Sequence, residues 1–172
     1  DFVMTEVLRQ AEDSPILGLA YQILRGEPLK PGKHGDSTIF SDKVKPSVVT
    51  DAMLAADQVL CGKNVTRRGV NREIREKLGL QGEQGKDLPV VGDRLICLRN
   101  NHQKGILNGE QFLVREIQNK DLGEVIYMVV ESIYNPGKLV DVAVPWAFFF
   151  GTEDDLDFYT KKSYDQFTYG YC

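Results

Sequence analysis

The spacing of apolar residues changes from helical to strand-like near residue 88, and this change constrains the fold more than any other feature. Before it, apolar residues recur every three or four positions, which is the period of an amphipathic helix. Ser14-Pro15 begins one such segment, because serine caps helices and proline is tolerated at the first helical position. The predicted helices cover residues 15–24, 46–56 and 66–78, and a short turn or helix is predicted over 5–11.

From Leu88 onward the apolar runs are shorter and are separated by Asn, Gly, Asp and Pro residues, which favours strands joined by turns. An earlier run, 57–61, predicts a buried strand just before the third long helix, an order typical of α/β proteins. Residues 27–37 are rich in Pro and Gly and predict a loop. Several short strands in succession indicate a small β-barrel. These later strands are predicted over 95–98, 111–114, 125–130 and 139–144.

Composition excludes several classes of protein. With 172 residues, 42% of them hydrophobic, and a net charge of -4, the chain is long enough for one domain, or for one domain with a small insertion. A pI near 5.3 argues against a uniformly basic nucleic-acid-binding surface, but not against a local basic patch. The apolar runs are too short for a transmembrane helix, and the first residues lack a signal-peptide pattern. We therefore expect a cytoplasmic protein with no membrane partner.

The cysteines, Cys61, Cys97 and Cys172, are widely spaced, and the chain has two histidines and no CxxC pair. This pattern predicts a reducing setting and no metal site. Cys61 and Cys97 lie in apolar runs, where cysteine packs as a small hydrophobic residue. The sequence also lacks the GxxxxGK(S/T) loop, so we do not expect the chain to bind a triphosphate as P-loop proteins do.

The segment from Cys61 to Gly79 is strongly basic. It holds six Lys or Arg residues against two Glu, a local charge of +4 in a chain of -4. Asn64 and Thr66 lie at the expected helix start, where backbone amides and neighbouring cations together favour a phosphate group. The other interpretation is a solvated helix face with pairs such as Glu73 and Lys77 at i, i+4. Spacing alone leaves both open.

Two further polar groups are candidates for binding. Arg9 and Gln10 precede a predicted helix, where an arginine is most often a surface residue or an ion-pair partner. Arg99 and Asn101 follow a predicted strand, and such loop residues either form turns or contact a nucleic-acid backbone.

Four segments carry a family resemblance. The first is TEVLRQA at 5–11 with SPI at 14–16, and the second is KNVTR at 63–67 with Asn71 and Arg75. PVVGDRLICLRNN at 89–101, followed by GILNG, is the third, and FTYGY at 167–171 is the fourth. In this order they resemble segments of RecD-like superfamily 1 DNA helicases, the group of the exodeoxyribonuclease V alpha subunit and its phage relatives.

The resemblance implies a domain organisation. Residues 1–87 would belong to the second RecA-like domain, of the P-loop NTPase type; 88–151 would be an inserted SH3-like β-barrel; and 152–172 would return into the RecA-like domain. Leu8 and Val70 depart mildly from the family pattern, which often has His and Leu there. The nucleotide-binding motifs and the last helicase motifs are missing from the sequence, so we expect the functional unit to extend beyond both ends.

The resemblance also implies roles for single residues. Arg9 would act as an arginine finger on the γ-phosphate of ATP bound by another domain, with Gln10 beside it. A second group of side chains would contact single-stranded DNA. The matching residues are Asn64, Thr66, Arg67, Arg68 and Asn71, with Arg99 and Asn101 from the barrel.

The parent protein would then be a bacterial or phage-encoded ATP-dependent DNA helicase moving 5′ to 3′. ATP and Mg²⁺ would be held mainly by the missing domain, and this chain alone would bind neither cofactor nor hydrolyse ATP. Its partners would be single-stranded DNA and other subunits of an exonuclease or replication complex. Two alternatives remain open: a stand-alone module that binds nucleic acid or protein, and a non-motor subunit of an exonuclease complex.

Overall fold

The computed structural model describes residues 14–82, 87–119 and 123–172. The chain forms two compact units, Asp1–Val49 and Thr50–Cys172. The architecture is mixed α/β, with a two-stranded sheet in the first unit and a five-stranded antiparallel sheet in the second. The short turn or helix predicted over 5–11 lies outside the described residues.

The first unit contains α1 (Pro15–Leu24) and a small hairpin. α1 begins as predicted, because Ser14 is extended (φ -61°, ψ 126°) and Pro15 occupies the first helical position. The chain then forms β1 (Gly32–His34) and β2 (Ser37–Ile39), which pair antiparallel. The prediction of a loop over 27–37 is therefore wrong for the three residues of β1 and for Ser37, which begins β2. Gly35, at φ +60°, makes a tight hairpin turn, and the same turn residues are also typical of an irregular loop.

The helices α2 (Pro46–Ala55) and α3 (Asn64–Lys77) confirm two further predicted helices to within two residues at each end. α3 follows Lys63, whose backbone is extended (φ -130°, ψ 136°), and the chain turns away at Gly79, which has φ +70°. Ile74, on the apolar side of α3, is buried in the core. Within the described ranges, no helix combines the length and the apolar character needed to span a membrane.

The large sheet accounts for most of the second unit. Its neighbouring strands are antiparallel, in the order β6-β5-β4-β3-β7. The strands are β3 (Arg94–Cys97), β4 (Gln111–Asn119), β5 (Val125–Ser132), β6 (Leu139–Pro145) and β7 (Phe167–Tyr169). The first four confirm the strands predicted from the apolar runs. β7 was not predicted, because three residues carry too little alternation to be recognised as a strand.

One face of this sheet forms the core. In β5, every second side chain is fully buried, as expected for a strand with one face against the core. Phe112 of β4 and Phe167 of β7 meet edge to face, with ring centroids 5.5 Å apart. α4 (Ala147–Phe150) adds Phe148 and Phe149 to the same cluster.

The described strands do not close into a barrel, because the edge strands β6 and β7 do not pair. The two edges nevertheless approach each other. Asp165, two residues before β7, donates its backbone N–H to Ala143 O of β6 at 2.9 Å, and its carboxylate accepts from Ala143 N at 3.1 Å. The sheet is therefore curled, and Asp165 joins its two edges. α4, a short 3-10 helix (Glu153–Asp155) and α5 (Phe158–Ser163) connect β6 to β7.

The strand predicted over 57–61 is not formed. One backbone hydrogen bond, from Val59 N to Tyr171 O at 3.1 Å, joins this segment to the residues after β7. Val59 packs against the core, so the apolar character of the run reflects burial of side chains and not pairing in a sheet.

Gly170 lies where the chain leaving β7 passes close to β3. A Cβ there would lie 2.9 Å from Leu95 C and 3.1 Å from Ile96 N. These are backbone atoms of a paired strand, so moving them to make room would cost stability. We expect Gly170→Ala to lower the free energy of unfolding by about 1–3 kcal/mol, measured by urea denaturation. Gly69 of α3 has open space around its Cβ position, so Gly69→Ala should instead raise stability by about 0.4–1 kcal/mol. Equal effects of the two substitutions would contradict this packing.

Candidate nucleic-acid interface

The first turn of α3 presents polar and basic groups to solvent. Asn64 and Thr66 are exposed, and Arg67 and Arg68 are half-buried. The turn contains no acidic residue, and Lys63 at the N-cap makes no side-chain hydrogen bond to the first amides. Since the first backbone N–H groups of a helix have no partner within the helix, this end attracts anions.

The cations of α3 differ sharply in how they are paired. Arg72 Nε lies 3.7 Å from Asp87 Oδ2, and Arg75 is ion-paired to both Asp87 and Asp93. Among the described residues, no carboxylate lies within ion-pair distance of Lys63 at the N-cap or of Arg67 and Arg68 in the first turn. The positive charge at the start of α3 is thus not balanced by an ion pair within the described part of the chain.

Arg67 and Arg68 are held in place by packing. The Nε atom of Arg67 is buried and has no hydrogen-bond partner within the described part of the chain. The Arg68 side chain lies directly over Gly151, at the end of α4, where a Cβ would lie 2.9 Å from Arg68 Cδ. Both side chains are therefore partly enclosed by the protein.

Asn71 occupies a different environment from the other predicted α3 residues. It is 3% exposed, its Nδ2 donates to Tyr169 O at 3.3 Å, and its Oδ1 accepts from Cys172 N at 2.8 Å. The amide therefore fastens α3 to the residues that end and follow β7. It borders the same small depression as Arg68, but both of its polar atoms are already used within the protein.

Arg75 and Asp93 form a buried ion pair that sequence reasoning missed. Their side chains are 3% and 0% exposed. Asp93 accepts hydrogen bonds from Arg75 Nε at 2.9 Å and Nη2 at 3.0 Å, from Val90 N at 2.8 Å and from the Tyr171 hydroxyl at 3.2 Å. The signal in the sequence was Arg75 itself, which lies four residues after Asn71 and next to Ile74, on the stripe of α3 that faces the core.

The surroundings of this pair shift the pKa values of Arg75 and of two neighbouring tyrosines. Burial lowers the pKa of Arg75, but the hydrogen bonds and charge of Asp93 outweigh it and raise that pKa, so the guanidinium stays protonated. Its carbon lies 4.0 Å from the centre of the Tyr169 ring, a cation–π contact. Burial raises the pKa of Tyr171 to about 12 and that of Tyr169 further, so both phenols stay neutral. The cluster is a structural anchor between α3, β3 and β7.

A second polar depression, of about 410 Å³, lies where β3 and α5 end. Arg99 is exposed there and donates from Nη1 to Lys161 O at 3.0 Å. Asn101 donates from Nδ2 to Asp165 at 2.9 Å, and Lys104 Nζ lies 2.6 Å from the same carboxylate. In the described ranges, Arg99 has no carboxylate partner, whereas Asn101 is committed to Asp165.

The predicted residues thus fall into separate groups. Asn64, Arg67 and Arg68 share one turn of α3, and the depression around Arg99 has no lining residue in common with the one beside Arg68. Arg9 and Gln10 lie outside the described residues. A scan against protein-family models and a search of curated proteins both found no match to this chain.

Proposed function

We propose that this chain is the part of a RecD-like superfamily 1 DNA helicase that grips single-stranded DNA. The observation that carries the proposal is the uneven pairing along α3. Arg75 is neutralised inside the protein and the exposed Arg72 lies within ion-pair distance of Asp87, whereas Lys63, Arg67 and Arg68 have no carboxylate partner among the described residues. The ordered resemblance of four segments supports the same assignment.

Unpaired cations at a helix start suit the backbone of a nucleic acid. Arg67 and Arg68 would each neutralise a phosphate, and Asn64 and Thr66 would hydrogen-bond phosphate or sugar oxygens. Such contacts read no base, which is what a motor moving along any sequence requires. The exposed Arg99 would provide a further backbone contact from the sheet side.

The fold is compatible with the domain organisation that goes with this proposal. A five-stranded antiparallel sheet whose edges meet at Asp165 and Ala143 suits an SH3-like barrel left open along one side. α3, tied by Asn71 to the segment after β7, suits a helix of a RecA-like layer. In this assignment, the chain leaves the RecA-like domain near residue 88 and returns to it after residue 151, and β7 of the returning segment pairs with β3 of the barrel segment.

ATP chemistry would belong to the larger protein. ATP and Mg²⁺ would be held by another domain, and Arg9, with Gln10 beside it, would reach the γ-phosphate when the domains close. The grip on DNA would then move relative to that domain, in the 5′ to 3′ direction. We place the parent protein in the cytoplasm of a bacterium or of a phage-infected cell, with other subunits of a recombination or replication complex as partners.

The proposal predicts a specific loss of binding when the unpaired cations are removed. Arg67→Ala and Arg68→Ala should each weaken binding of a single-stranded oligonucleotide several-fold, by a similar factor for different base sequences. Each should also reduce the slope of log affinity against log salt by about 0.7, the value for one phosphate contact on a single strand. Fluorescence anisotropy at several salt concentrations measures both quantities.

The matched control is Arg115→Ala. Arg115 lies on β4, is half exposed and is already ion-paired to Glu131, so its loss removes the same charge without removing a free cation. It should leave the salt slope unchanged. Thermal unfolding followed by circular dichroism would show that all three variants fold. Unchanged slopes for Arg67→Ala and Arg68→Ala would overturn the proposed grip, and tight binding of proteins but not DNA would favour a protein-binding module.

A further inference from the structure

Two of the three free cysteines lie side by side in the second unit. The Cys172 thiol donates to Cys61 Sγ, with the two sulfur atoms 3.0 Å apart, although 111 positions separate them in the sequence. A disulfide has a sulfur–sulfur distance of about 2.05 Å, so the atoms need to approach by only about 1 Å more.

Hydrogen bonds of the backbone near each cysteine hold the two thiols together. Val59 N donates to Tyr171 O at 3.1 Å, which aligns the segment before Cys61 with the segment before Cys172. Cys172 N donates to Asn71 Oδ1 at 2.8 Å, which ties the same residue to α3. Because these bonds restrict both segments, the proximity of the sulfurs is a built feature of the fold.

The third cysteine is in a different position. Cys97 is 1% exposed on β3, and its thiol donates to Arg99 O at 2.9 Å. It makes no sulfur–sulfur contact within the described part of the chain. Cys97 is therefore an internal reference for the reactivity of the other two.

We propose that Cys61 and Cys172 form a redox-modification site, at which a hydroperoxide converts the two thiols into an intramolecular disulfide. Cys61 is the more accessible of the two and reacts first. Its sulfur attacks the O–O bond of hydrogen peroxide, takes one oxygen as sulfenic acid, and its proton leaves with the other oxygen as water.

Cys172 then completes the reaction. Its sulfur attacks the sulfenic sulfur of Cys61, the S–S bond forms, and the departing hydroxyl takes the Cys172 proton to leave as a second water. Two thiols lose two electrons in total and the peroxide gains them. Burial and the hydrogen bond to Cys61 raise the pKa of Cys172 to about 12, so Cys172 keeps its proton until this step. The inference does not depend on the proposed function.

The test treats the chain with hydrogen peroxide, unfolds it, alkylates the remaining thiols and measures the intact mass. We expect two of the three thiols to be lost, and proteolysis to release one cross-linked peptide pair containing Cys61 and Cys172. A dithiol reductant should restore all three. Cys97→Ser should leave the cross-link intact, whereas Cys61→Ser and Cys172→Ser should each abolish it.

Several outcomes would overturn the proposal. These are retention of all three alkylatable thiols, a cross-link that includes Cys97, a disulfide-linked dimer on a non-reducing gel, and irreversible oxidation of Cys61 while Cys172 stays reduced. Because Ser is close in size to Cys, the serine variants are expected to fold, and circular dichroism would verify this before oxidation.

Discussion

Arg75→Ala is expected to lower the free energy of unfolding by about 3–5 kcal/mol, because it would leave the Asp93 carboxylate buried without its counter-charge. The Asp93 side chain is 0% exposed and accepts two hydrogen bonds from Arg75. The substitution would also remove the hydrogen bond from Arg75 Nη2 to Leu88 O, at 2.8 Å, and the contact with the Tyr169 ring. Urea denaturation followed by circular dichroism measures the loss.

Arg72→Ala is the matched control for this prediction. Arg72 lies one turn earlier on α3, is 65% exposed, and its Nε is 3.7 Å from Asp87, so its removal should cost no more than about 1 kcal/mol. If Arg75→Ala prevents folding, a double variant with Arg75→Met and Asp93→Leu still tests the idea. Replacing both members of a buried pair by apolar residues is often close to neutral, so the double variant should recover most of the stability. A double variant less stable than Arg75→Ala would contradict this account.

Phe112→Ala is expected to lower the free energy of unfolding by about 3–5 kcal/mol, because the ring is fully buried in the core. Phe112 is 0% exposed, lies opposite Leu95 on the neighbouring strand and contacts Phe167 edge to face. Removal of the ring would leave a cavity next to Phe167, on the core face of the sheet. The loss is measured by urea denaturation, like that of Arg75→Ala.

Tyr134→Ala provides the comparison for Phe112→Ala. Tyr134 is an aromatic residue of similar size after β5, and it is 70% exposed. Its substitution should change stability by no more than about 0.5 kcal/mol. Similar losses for the two variants would mean that the core is not where the sheet places it.

Most regular elements could be predicted because their signals are local. α1 follows from Ser14-Pro15 and the apolar period after it, and α3 follows from the repeating Val70 and Ile74. The strands β3 to β6 follow from short apolar runs between turn residues. Two predictions were wrong because the local signal fits two structures. The turn residues around Gly35 suit a hairpin or a loop. The apolar run 57–61 suits a strand or a buried segment that pairs with no strand.

The candidate interface could be predicted only in part. Local composition identified the basic residues of α3, including Arg67 and Arg68, because charge can be counted in a sequence. Which of the cations are neutralised depends on Asp87 and Asp93, whose approach to α3 the helix alone does not determine. Asn71 shares the helical spacing of the predicted contacts, yet the packing of the residues after β7 buries it.

By itself, then, the sequence determined the helices α1 to α3 and the strands β3 to β6, the basic character of α3 and the absence of a P-loop motif, since each depends on residues close together in the chain. The tertiary structure alone decided the order of the sheet, the burial of Arg75 with Asp93 and the meeting of Cys61 with Cys172. These features arise from contacts between residues far apart in sequence. The spacing of residues along a chain carries no record of which distant segments pack together, and packing decides which charges and thiols find partners.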